Sequence, residues 1–109
     1  MKLRTLAYAR SGDKGDTCNI GVLCRSPDLY AWLRRELTPA VVRRFFKGIV
    51  LGRVTRHEAP NLLALNFLLE RTLGGGGTVS LMLDPQGKTL SQALLEMELD
   101  VPSRLVPRE

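Results

Sequence analysis

Between residues 18 and 25 apolar and polar side chains alternate. Cys18, Ile20, Val22 and Cys24 fall on one parity and Asn19, Gly21, Leu23 and Arg25 on the other. That period of two predicts a strand with one buried face. Leu3 to Ala9 is short, mildly apolar and β-tolerant, and predicts a strand before it. The segment between them, Arg10 to Thr17, holds two glycines and two aspartates and reads as a loop of turn chemistry. The two strands then form a hairpin around that loop.

From Ser26 the period changes. Ser26-Pro27 gives an N-cap followed by proline in the first turn, and Leu29, Trp32, Leu33 and Leu37 follow at helical spacing. Thr38-Pro39 repeats the start signal, which breaks the helix and begins a second one. Val41, Val42, Phe45 and Phe46 form its apolar stripe, and Gly48 suits the position just past its end. Ile49 to Glu58 predicts a third strand, stopped by Pro60. Residues 62 to 69 are apolar on every side except Asn66 and contain no β-branched residue, so they predict a buried helix capped by Asn61, with a strand as the rival. After Gly74–Gly77, Thr78 to Leu83 alternates as a fourth strand. Asp84-Pro85-Gln86-Gly87 marks a type I turn, and Thr89-x-x-Gln92 is a capping box before the stripe Leu90, Ala93, Leu94, Met97.

Strands joined by helices imply crossovers and parallel neighbours, while the first hairpin adds an antiparallel pair. The fold class expected is therefore α/β (α+β): a two-layer sandwich of about four mixed strands with helices on one face, ferredoxin-like or a permuted form of it. A single domain spans residues 1–109, with an ordered core over about 3–99 and a C-terminal tail over 100–109. Helices on one face only leave the other face for a partner.

Composition changes this picture little. The chain has 109 residues, 44% hydrophobic and 25% charged, which excludes disorder by composition, a collagen repeat and a disulfide scaffold. No uncharged run approaches the ~20 residues of a membrane helix, so no membrane role is expected. No apolar segment follows the charged start Met1–Arg4, and the cytoplasm is the expected compartment. The net charge is +5, and twelve of sixteen cations are arginine. Such a balance suits nucleic acid, an anionic ligand or an acidic partner. The cations are scattered and aromatics are only 6%, so nucleic acid rests on charge alone and an Arg-rich solvated surface explains it as well.

On one strand Cys18 and Cys24 stand six steps apart, ~20 Å at 3.3 Å per residue. A disulfide needs α-carbons within ~7 Å, so both are expected as reduced apolar residues. The single histidine, His57, adjoins Glu58 at a strand end. Neighbouring strand residues point to opposite faces, so the two do not work as an acid–base pair. No cofactor and no metal site are expected.

Three features remain as candidate chemistry. In Ser11 to Asn19, Gly12 and Gly15 let a loop turn its N–H groups toward an anion, with Arg10 and Lys14 adding charge. The oxygens of Asp13, Asp16 and Asn19 instead suit a hard cation, and a plain turn that satisfies its own backbone stands beside both readings. Gly74, Gly75, Gly76 and Gly77 cost folding entropy and mark either a close approach to a ligand or a flexible connection. Asn66, polar in an apolar run, pins a neighbouring loop or meets a ligand.

These segments carry a resemblance. Residues 10 to 21, R-S-G-D-K-G-D-T-C-N-I-G, followed by A-L-N-F at 64–67, L-G-G-G-G at 73–77 and D-P-Q-G-K at 84–88, resemble a small AtuA-related family. Its members are similar to the C-terminal ferredoxin-fold domain of the acyclic terpene utilisation AtuA proteins. The similarity covers about residues 3 to 98 and lacks the large domain that precedes this one in AtuA proteins. It implies a ferredoxin-like fold and a bacterial cytosolic setting near acyl-CoA or acyclic terpenoid breakdown, without an established reaction. Arg10, Ser11, Gly12, Asp13, Lys14, Gly15, Asp16 and Asn19 match the signature loop, and Asn66 and Gly74–Gly77 match later motifs. The resulting expectation is a partner module that docks on a separately encoded AtuA-type large subunit and contributes the Gly-rich loop to a shared anion site. In the absence of that subunit, self-association is expected. The alternatives are a stand-alone small enzyme or binding protein for a phosphorylated or CoA-linked acid, and a nucleic-acid binder.

Overall fold

A computed structural model describes residues 1–14, 17–72 and 88–107, without the side chains of 13, 14, 88 and 89. Among the described residues four strands, β1 (Ala7–Lys14), β2 (Thr17–Cys24), β3 (Val54–Ala59) and β4 (Ala64–Leu69), form one sheet in the order β1-β2-β4-β3. Three described helices, α1 (Pro27–Glu36), α2 (Pro39–Phe45) and α3 (Lys88–Leu95), accompany it. On each strand the core-facing residues share a parity: Ala7, then Cys18, Ile20, Val22 and Cys24, then Val54, then Leu65, Phe67 and Leu69. They meet Leu29, Trp32, Leu33, Leu37, Val42 and Phe46 from α1, α2 and their ends, and Leu90 and Leu94 from α3, in one core. The helices therefore cover one face of the sheet, as the pattern predicts, and Cys18, Ile20 and Val22 lie beneath them.

All three described strand pairings are antiparallel. Among the described residues the sheet is therefore antiparallel where a mixed one is expected. The helix pair does carry the chain from β2 to a strand of the same direction, β3, but β4 inserts between the two and is antiparallel to both. The capping signals at Ser26 and Thr38 hold. The Ser26 Oγ accepts from the Leu29 N–H and the Thr38 Oγ1 from the Val41 N–H, each at 3.2 Å. Gly48 has φ +88°, a left-handed conformation that suits a residue past a helix end. Arg56 closes α1 from the sheet: its guanidinium donates to the carbonyls of Arg34 (2.6 Å) and Leu37 (3.0 Å) and to Glu58 (3.0 Å).

Several boundaries differ from expectation. Leu3–Thr5 is a 3-10 turn rather than a strand. Leu3 and Leu6 are both fully buried, and a spacing of three puts them on one side of such a turn but on opposite sides of a strand. The expected loop over 10–17 is mostly strand, since Arg10 to Lys14 pair in register with Gly21 to Thr17. Residues 64–69 are a strand, not a helix: Leu65, Phe67 and Leu69 enter the core while Ala64, Asn66 and Leu68 point away. Pairing on both edges, to β2 and β3, overrides the absence of β-branched residues. Asn61, the expected cap, lies in a 3-10 turn over Pro60–Leu62. The third strand starts at Val54, later than Ile49, and α3 starts at Lys88, so Thr89 is within it. The tail returns Leu105 to the core, 8% exposed. The expected strand over 78–83, the turn over 84–87 and the glycine run over 74–77 lie outside the described residues.

Candidate functional site

The sheet face opposite the helices, uncovered among the described residues, is a grid of register partners. Arg10 pairs with Gly21, Gly21 with Asn66, and Asn66 with His57, so one row crosses all four strands. Directly paired residues of an antiparallel sheet project to the same side. The row on one side is Gly12, Asn19, Leu68 and Thr55, and on the other Tyr8, Leu23, Ala64 and Ala59. None of these positions carries a carboxylate.

A groove of about 450 Å³ follows the first two rows, over Gly12, Asn19, Gly21, Asn66 and Leu68, with Arg10, Ser11 and Thr17 at its margin. The glycines shape it. A Cβ at Gly12 would meet nothing within 4 Å, and one at Gly21 would meet the Asn66 Oδ1 at 3.7 Å. Neither glycine is demanded by packing, in contrast to Gly52, whose Cβ would lie 2.7 Å from the Glu70 carbonyl oxygen. Among the described residues the side chains of Arg10, Asn19 and Asn66 make no hydrogen bond or ion pair. Beside the groove, Tyr8 and Leu23 are exposed, at 60% and 41%. The Tyr8 ring lies 4.2 Å beneath the Arg25 guanidinium carbon, and Arg25 also donates to its hydroxyl at 2.8 Å.

The fold thus brings together five of the residues singled out in the sequence: Arg10, Ser11, Gly12, Asn19 and Asn66. Lys14 and Asp13 end β1, but their side chains, together with Gly15, Asp16 and Gly74–Gly77, lie outside the described residues. Residues 10–14 are extended strand, whose N–H groups alternate in direction rather than converge as in an anion nest, and Gly15 and Asp16 lie outside the described residues. Among the described residues the Asn66 amide makes no hydrogen bond to a loop, and it stands on the sheet face opposite the helices. Gly21, Thr17 and Leu68 were not singled out. Their signal is the register across β1, β2 and β4, which a single strand's pattern does not contain.

Other chemistry is accounted for. His57 and Glu58 lie on opposite sides of β3, with Glu58 held by Arg56 and Arg34. Cys18 and Cys24 are buried and form no disulfide, and burial pushes the Cys24 thiol up to about 11, away from nucleophilic use. Among the described residues no group of His, Cys, Asp and Glu gathers as a metal site, and no helix is long and apolar enough to cross a membrane. A second groove, of about 510 Å³, lies by Arg43, Arg44, Lys47 and Leu51 at the end of α2 and contains none of the residues singled out.

Compared with known proteins, residues 1–100 match the family model of the AtuA ferredoxin-like domain. No curated protein and no solved structure matches the chain.

Proposed function

The chain belongs to the AtuA ferredoxin-like domain family, and from that premise we propose that it is a partner module that docks through the uncovered sheet face on a separately encoded AtuA-type large subunit. The setting is acyl-CoA or acyclic terpenoid breakdown, as the family resemblance implies. The observation that carries this reading is the character of the face. Tyr8, Leu23 and Leu68 offer apolar area, and the polar groups of Arg10, Asn19 and Asn66, unpartnered among the described residues, stand among them. Aromatic and arginine side chains set in apolar surface are the composition of an interface centre. In the absence of the large subunit the same face pairs with a second copy.

The test is co-elution of the purified chain with an AtuA-type large subunit from the same genome. A complex is expected with the natural chain and not with Leu23→Asp, which puts a charge at the centre of the apolar row. No complex with either chain contradicts the reading. The alternative of a stand-alone binding protein for a phosphorylated or CoA-linked acid is favoured by the groove over Gly12 and Gly21. Calorimetric titration with coenzyme A and with inorganic phosphate separates the two: saturable heat with the chain alone favours this alternative.

A further inference from the structure

We propose that the notch over Gly21 seats a carboxylate side chain, Asp or Glu, of the protein that covers this face; the inference rests on the docking reading above. The geometry comes first. Arg10 and Asn66 flank Gly21 as register partners on either side. At the usual strand spacing their α-carbons stand roughly 10 Å apart. The missing side chain between them leaves a gap floored by backbone, with the Asn66 Oδ1 at its wall. That gap admits one small planar group.

Charge selects the group. Arg10 is exposed, and among the described residues it has no ion-pair partner. The three central rows of the face carry no Asp or Glu to neutralise it. A guanidinium matches a carboxylate with two parallel N–H···O bonds. Asn66 is neutral and supplies both a donor and an acceptor through its amide. One guanidinium and one amide balance a single negative charge. A phosphate dianion would leave excess charge in a place that docking dries, and burying unbalanced charge is costly.

The surroundings select the source. The notch sits between Leu68 on one row and Tyr8 and Leu23 on the next, at the middle of a flat face rather than in an enclosed pocket. A free acid there would keep one side in water. An acidic side chain carried by a covering protein is dried by the apolar contacts around it, where a charge-assisted pair is strong.

Two measurements test this. In the isolated chain, nitrogen-15 NMR during titration with sodium acetate is expected to show saturable shifts at the Gly21 amide and the Asn66 side-chain amide. Sodium chloride at equal ionic strength gives none, and Arg10→Gln removes them. Phosphate shifting these signals at lower concentration than acetate overturns the carboxylate assignment. In the complex with the large subunit, Arg10→Glu is expected to weaken binding by about tenfold or more, and Arg44→Glu on the distant end of α2 by less than about twofold. Arg10→Glu that binds like the natural chain overturns the carboxylate seat and leaves docking in place. Acetate shifts as expected with no complex formed leave the notch chemistry in place and overturn docking.

Discussion

Asn66 turns its side-chain oxygen toward Gly21, so that a Cβ placed on that glycine would lie 3.7 Å away. This is ordinary van der Waals contact, and Gly21 is not among the glycines with positive φ. The strand therefore accepts alanine here without strain. Glycine inside a strand costs ~0.5–1 kcal/mol relative to alanine, chiefly in unfolded-state entropy. Gly21→Ala is expected to raise stability by that amount in chemical denaturation while it reduces binding of the large subunit. A loss of stability would mean that Gly21 serves packing rather than an open notch.

Neighbouring residues of β4 should respond oppositely. Phe67 is fully buried, and Phe67→Ala is expected to cost ~3–5 kcal/mol. Asn66 faces away and has no hydrogen-bond partner among the described residues, so Asn66→Ala should change stability by less than about 0.5 kcal/mol. Urea unfolding of both variants checks the contrast. Equal costs would contradict the strand and restore the helix reading of this segment.

That segment illustrates what the sequence hides. In β2 one face meets water, so Asn19 and Gly21 alternate with Cys18, Ile20 and Val22 and the period of two is plain. In β4 the second face is apolar as well, through Ala64 and Leu68, and only Asn66 breaks the run. Periodicity cannot separate a strand of this kind from a buried helix; pairing on both edges decides it. β1 is disguised differently, because Gly12 and Asp13 are turn residues by chemistry but strand residues by pairing. Arg10, Asn19 and Asn66 are legible as oddities in their own segments. Their convergence is not, since it depends on the strand order β1-β2-β4-β3.

Arg56 joins the two layers through one largely buried side chain, 13% exposed, which donates to the end of α1. Arg56→Met keeps most of the stem and leaves the Arg34 and Leu37 carbonyls without that donor. The expected cost is ~1–3 kcal/mol in denaturant unfolding. Arg35→Met, on the exposed side of the same helix, should cost less than about 0.5 kcal/mol. Similar values for the two would remove the role given to Arg56.

Glu96 ties the start of the chain to the segment after α3. A hydrogen bond from Lys2 at 2.7 Å, and then the charges of Arg4 and Lys2, hold its carboxyl below the usual carboxylate range. A folded-state pKa lowered in this way adds stability above the ordinary carboxylate value. That stability is lost as pH falls through the folded-state value. Glu96→Gln should therefore be less stable than the natural chain at neutral pH, with the difference closing in acid. Thermal melts across that range that show a constant difference would contradict the pairing.

The docking face itself is tested most directly by hydroxyl-radical footprinting of the chain, alone and with the large subunit, read by mass spectrometry. Tyr8 and Leu23 are exposed on the uncovered sheet face, and Phe45 and Leu51 are exposed on the helical side, at 40% and 52%. The large subunit is expected to protect Tyr8 and Leu23 and to leave the oxidation of Phe45 and Leu51 unchanged. Protection of Phe45 and Leu51, with Tyr8 and Leu23 oxidised as in the free chain, would contradict it.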